Sequence, residues 1–180
     1  MESVENIKYD LYIEIRDNNF NRAMRLIEEE KEIDYYAAIL ICIKKSRIKL
    51  LRAIIKNTDV DPSINNNAAF KLAVERNKIT VIKCLLEDDR VDPNVDNNFI
   101  LNRCCMYKKN KLAEVLINHK KTILNANNNK AIYLAYTNKN FEIVDLLFSF
   151  DSVKESVKLD HPDIYNYLIS VEIKKKMLNF

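Results

Sequence analysis

Residues 66–86 read Asn66-Asn67-Ala68-Ala69-Phe70-Lys71-Leu72-Ala73-Val74-Glu75-Arg76-Asn77-Lys78-Ile79-Thr80-Val81-Ile82-Lys83-Cys84-Leu85-Leu86. Ala69, Phe70, Ala73 and Val74 fall at i, i+1, i+4 and i+5, which is one face of a helix. Val81, Ile82 and Leu85 repeat that spacing after a polar break at Glu75 to Lys78. The stretch predicts two short helices joined by a tight turn, each with an apolar face to cover.

Working outward, the pattern recurs. Asp61-Pro62 returns as Asp92-Pro93, and Asn66-Asn67 returns as Asn97-Asn98 and Asn128-Asn129, at an offset of 31. Aligning residues 32–62, 63–93, 94–124 and 125–155 gives ten columns that are apolar in every row. At 48% hydrophobic residues, chance supplies only about one or two such columns. One column, Cys42, Ala73, Cys104 and Ala135, is small throughout, as close helix packing requires. Beside it run Ile39, Phe70, Leu101 and Ile132. The second helix contributes Leu50, Val81, Leu112 and Ile143, then Ile54, Leu85, Leu116 and Leu147. Each unit is expected to be helix, turn, helix and a projecting polar loop. Repeats of this length stack so that neighbours bury one another's apolar faces.

The quoted row resembles the ankyrin repeat, whose pattern runs G-x-T-P-L-H-L-A-A-x-x-G-H-x-x-V-V-x-L-L-L. The resemblance covers residues 32–155. Ala68-Ala69 stands where the family has Thr-Pro, Lys71 replaces the His, and Asn66 and Asn77 replace both glycines. Asn is the next-best residue at a left-handed backbone position, so the replacements are coherent. The Asn-rich loops with their Asp-Pro pairs resemble the divergent ankyrin proteins of giant DNA viruses.

The resemblance implies an all-α ankyrin-like solenoid in one domain spanning residues 1–180. Its amino-terminal cap is expected at about 5–31, where Phe20 aligns with Ile48 and Leu26-Ile27 with Ile54-Ile55. Four units follow, at 32–62, 63–93, 94–124 and 125–155. A carboxy-terminal capping region takes 156–180, its helix starting at Asp160-His161-Pro162-Asp163 because Pro suits a first turn and acid suits the positive end of the dipole.

Composition narrows the chemistry. The chain has no glycine, which removes the P-loop, the GxGxxG dinucleotide turn and the GxSxG nucleophile elbow. It has no Trp and two His, His119 and His161, each explained by its place at a helix end. Cys42, Cys84, Cys104 and Cys105 lie in apolar stretches without CxxC spacing, so buried structural thiols are expected rather than metal ligands. No catalytic residue, metal site or cofactor is expected. The longest apolar run, Ala37 to Ile43, is far short of the roughly 20 residues of a membrane span, and a cytoplasmic protein is expected, with the nucleus as alternative.

Ankyrin proteins usually meet partners through a concave face of loop tips and first-helix residues. Carried over, those positions are Lys44 and Lys45, Glu75 and Arg76, Met106 and Tyr107, and Thr137 and Asn138; the loop tips add Asn67, Asp96, Asn98 and Asn129. Met106 and Tyr107 form an apolar centre within charge and amide, as an interface anchor with a polar rim would. Against this, Met106 could turn inward, and the Asn tips could simply satisfy loop backbone.

The resulting expectation is a monomeric, non-catalytic module that binds another protein, a host protein if the chain is viral. Two alternatives are kept. A column of Arg47, Lys78 and Lys109 could bind nucleic acid or an acidic surface, although a net charge of +3 argues against nucleic acid. Leu168 to Leu178 faintly resembles the start of an F-box, which would make the chain an adaptor for a ubiquitin ligase; a plain capping helix explains the same residues.

Overall fold

A computed structural model describes residues 4–29 and 33–178. Among them are twelve helices and no strand, so the chain is all-α. Contacts divide it into two compact units, Met1–Asp92 and Pro93–Phe180, each containing three antiparallel helix pairs.

In the first unit the pairs are α1 (Val4–Asp17) with α2 (Phe20–Glu29), α3 (Tyr35–Lys45) with α4 (Ile48–Asn57), and α5 (Ile64–Glu75) with α6 (Ile79–Leu85). First helices pack on first helices and second on second, α1 on α3 on α5 and α2 on α4 on α6. The second unit holds α7 (Val95–Met106) with α8 (Asn110–Ile117), α9 (Ala126–Thr137) with α10 (Phe141–Phe148), and α11 (Asp151–Asp160) with α12 (Pro162–Leu178). Here α7, α9 and α11 pack in series and α8 lies on α10.

The apolar columns form the core. Ile39, Phe70, Leu101 and Ile132 are all fully buried, as are Leu51, Ile82, Ala113 and Val144 of the second helices. Cys42, Ala73, Cys104 and Ala135 are buried where the paired helices approach.

Five of the six turns between paired helices share one construction, the exception being the turn at His161 between α11 and α12. A residue one or two positions past the first helix sits in the left-handed region: Asn18, Ser46, Asn77, Lys108 and Lys139. The amide after it reaches back five residues, Arg47 N–H to the Cys42 carbonyl at 2.9 Å, Lys78 to Ala73 at 3.0 Å and Asn140 to Ala135 at 2.8 Å. That is the Schellman closure, in which glycine is usual. A left-handed L-residue costs about 1–2 kcal/mol, part of it returned because glycine is freer when unfolded. Lys108→Gly is therefore expected to raise the unfolding free energy by roughly 0.5–1 kcal/mol, read as a higher urea midpoint at unchanged slope.

The Asn runs are not projecting loops. Asn65 to Asn67, Asp96 to Asn98 and Asn127 to Asn129 each form one turn of left-handed helix, with φ between 54° and 59° at every residue. The turn closes on itself: the amide of Asn67 donates to the Ser63 carbonyl at 2.8 Å and that of Asn98 to Asn94 at 2.9 Å. Asn and Asp tolerate this region best among residues with a Cβ.

The ends differ in detail from the expected boundaries. The junction at residues 31 and 32 lies outside the described residues, as do residues 179–180. Residues 151–155, expected in the last unit's loop, open α11, because only Ser149 and Phe150 separate it from α10. The cap is thus a helix pair. Its second helix begins at Pro162, where expected, and covers the core with Ile164 and Leu168, while Met177 and Leu178 stay exposed.

Candidate partner-binding face

On α3, α5, α7 and α9 the sequence-predicted pair of site residues lies at the helix end, just before the left-handed reversal. On α3 these are Lys44 and Lys45, both exposed, at the end where the helix dipole favours cations. The hydrogen bond from Arg16 holds the Asp17 carboxyl below its usual range, with smaller contributions from the charges of Arg47 and Lys45. On α5 they are Glu75 and Arg76, also exposed.

On α7 they are Met106, half-buried, and Tyr107, 58% exposed. The Arg103 guanidinium lies 5.5 Å from the Tyr107 ring centre and 5.5 Å from that of Phe99. Phe99 is 51% exposed. Sequence reasoning missed Phe99 and Arg103. Their i, i+4, i+8 spacing with Tyr107 was the available signal, but it falls in columns that other rows fill with Ala, Lys, Ile and Leu.

On α9, Thr137 and Asn138 are exposed but turn back on their own helix. Thr137 Oγ1 donates to the Tyr133 carbonyl at 3.0 Å and Asn138 Nδ2 to Leu134 at 2.9 Å. They satisfy carbonyls that the helix end leaves open.

Of the loop-tip candidates, Asp96 is exposed. Asn67, Asn98 and Asn129 are corrections: all three are buried, Asn129 completely. The Asn67 side-chain oxygen accepts the Asp92 amide at 2.9 Å. Asn98 Nδ2 donates to the Ile123 carbonyl at 2.5 Å. Asn129 Nδ2 donates to Ser156 Oγ at 2.6 Å and to Asp160 at 2.7 Å. The third Asn of each left-handed turn thus pins the loop or helix that follows its own helix pair, and a partner docking on intact repeats does not reach it. The first Asn adds to the tie on α9, where Asn127 Nδ2 donates to the Asn97 carbonyl at 2.8 Å.

The basic column is also partly committed within the fold. Arg47 donates to the carbonyls of Ile15 at 3.2 Å and Arg16 at 2.6 Å. Lys78 Nζ donates to Ser46 Oγ at 2.7 Å. In the last row Asn140 donates to Asn110 at 2.9 Å. Lys109 remains exposed.

All four cysteines are buried. Burial pushes the thiols of Cys42, Cys104 and Cys105 up to about 12, and the thiolate is the reactive form. The folded protein is accordingly expected to react only slowly with a chromogenic disulfide reagent at mildly alkaline pH, and fully once denatured. Rapid labelling of the folded state would contradict the burial. Among the described residues no group of three or more His, Cys, Asp or Glu is placed to hold a metal ion, and no helix is long and apolar enough to cross a membrane. His161 is a structural contact, its Nε2 2.8 Å from the Asn128 carbonyl and its ring stacked on Tyr133.

Comparison with known proteins agrees with this architecture. No curated protein and no solved structure matches the chain. The family model for ankyrin repeats matches in three copies over residues 71–157, from inside α5 to inside α11. Ankyrin repeats are generally protein–protein interaction modules, and typically non-catalytic. With the Schellman turns in place, left-handed Asn where the family has glycine, and the family's columns in the core, residues 71–157 of this chain are divergent ankyrin repeats.

Proposed function

We propose that the chain acts, as one ankyrin-repeat domain, as a non-catalytic module that binds a partner protein through the exposed side of its first helices. That is the side the family makes concave. The observation that supports this best is the exposed Tyr107 beside half-buried Met106 at the end of α7. An aromatic ring held out of the core is a typical anchor of binding energy. On the first unit, Lys44, Lys45, Glu75 and Arg76 are the exposed residues at the corresponding helix ends. With Asn67, Asn98 and Asn129 withdrawn into the repeats, affinity rests on the helix ends rather than the loop tips. If the chain is viral, as its Asn-rich loops suggest, the partner is a host factor. The ties of Arg47 and Lys78 to preceding turns weigh against the nucleic-acid stripe.

Affinity capture of the tagged chain at low and moderate salt, beside a Met106→Ala/Tyr107→Ala variant, tests the reading. A stoichiometric protein is expected that survives salt and binds the variant about tenfold or more weakly, with unchanged helicity and melting. Equal binding by both proteins would remove this face from consideration. Capture of nucleic acid alone, lost as salt rises, would favour the basic column instead.

A further inference from the structure

We propose that Phe99, Arg103 and Tyr107 form a clamp for an acidic peptide segment, taking an Asp or Glu side chain flanked by apolar residues. This rests on the reading of the exposed side of α7 as a partner-binding surface. The three residues are one helical turn apart, about 6 Å each, and all are exposed. The guanidinium stands equidistant from the two rings, 5.5 Å from each centre, where the ring faces attract it.

Held by its faces, the guanidinium keeps its in-plane N–H groups for an outside acceptor. Two parallel bonds to a carboxylate are the geometry it fits best. Arg52 and Arg90 already make that pair internally, with Glu87 at 2.9 and 2.7 Å and with Asp88 at 3.0 and 2.7 Å. No carboxylate among the described residues pairs with Arg103. Lys108, next to Tyr107 in the chain, is a further exposed cation. Apolar flanks are required of the ligand because the two half-exposed rings border the guanidinium. A stacked base is less well served, because each ring already gives one face to Arg103.

Fluorescence polarisation with the full chain tests the clamp. The probes are short labelled peptides with a central Glu flanked by Leu and Phe, their Gln twins, and oligothymidylate as competitor. The Glu peptide is expected to bind at least about tenfold tighter than its twin. Arg103→Gln should abolish that preference and Arg103→Lys should keep part of it, both without moving the melting curve. The clamp is overturned by absent binding of the Glu peptide, by equal binding of the twins, or by an unchanged preference in Arg103→Gln. Oligothymidylate outcompeting the peptide overturns it in favour of single-stranded nucleic acid. A captured partner kept by Arg103→Gln but lost by Met106→Ala/Tyr107→Ala would sink the clamp and leave the broader reading standing; retention by both variants would sink both.

Discussion

Replacing Asn98 with alanine is expected to lower the unfolding free energy of the carboxy-terminal unit by about 2–5 kcal/mol. Two effects add. Asn98 sits at φ 59°, where an ordinary L-residue costs about 1–2 kcal/mol. Its buried side chain also donates to the Ile123 carbonyl, and removing one partner of such a bond costs about 1–3 kcal/mol. Asn98→Gly separates the two, since glycine restores the backbone preference and not the bond, and should cost about 1–2 kcal/mol. Asn97, at φ 56° but exposed, gives the complementary control: Asn97→Ala should show only the backbone cost. Urea unfolding followed by circular dichroism measures all three. Equal losses for Asn97→Ala and Asn98→Ala would mean that the tie to Ile123 contributes nothing.

Phe70→Ala should be more damaging, at about 3–5 kcal/mol, the usual cost of emptying a fully packed phenylalanine site. Phe70 has no solvent exposure and heads the large, fully buried side chains. It lies on α5, which packs on α3 and α6, so the cavity weakens helices on two sides. Set against a typical stability of 5–15 kcal/mol, a loss of that size should strip hydrogen-exchange protection from α3 through α6. Phe70→Leu, which keeps most of the volume, should cost about 1 kcal/mol. Phe141, 48% exposed, supplies the contrast: Phe141→Ala should cost about 1 kcal/mol or less. Similar losses at the two phenylalanines would show that burial is not what distinguishes them.

Much of the candidate face was legible before any coordinates. Lys44, Lys45, Glu75, Arg76 and Tyr107 could be carried over from the ankyrin resemblance once the period of 31 fixed the register, and all are exposed, one or two positions before a left-handed turn residue. Asn67, Asn98 and Asn129 could not be read correctly by the same means. An Asn beside a turn looks alike whether its amide faces water or a backbone group, and only the chain that folds back over it decides which. Phe99 and Arg103 were hidden for a related reason. A single helix shows their spacing, but whether those rings are covered depends on what packs against the helix.

The linear sequence therefore determined the all-α repeat, its period, the core columns and the small column where paired helices approach. These follow from local spacing and side-chain volume, which repeat with every unit. Tertiary structure alone decided that each Asn run winds into a left-handed turn with its third residue buried. It also decided that Arg47 and Lys78 spend their charge on preceding turns, and that residues 151–160 become a helix of the cap. Each of these outcomes depends on a hydrogen-bond partner or packing surface supplied by a segment distant in the chain, and a partner of that kind leaves no mark on the periodicity of the segment that needs it.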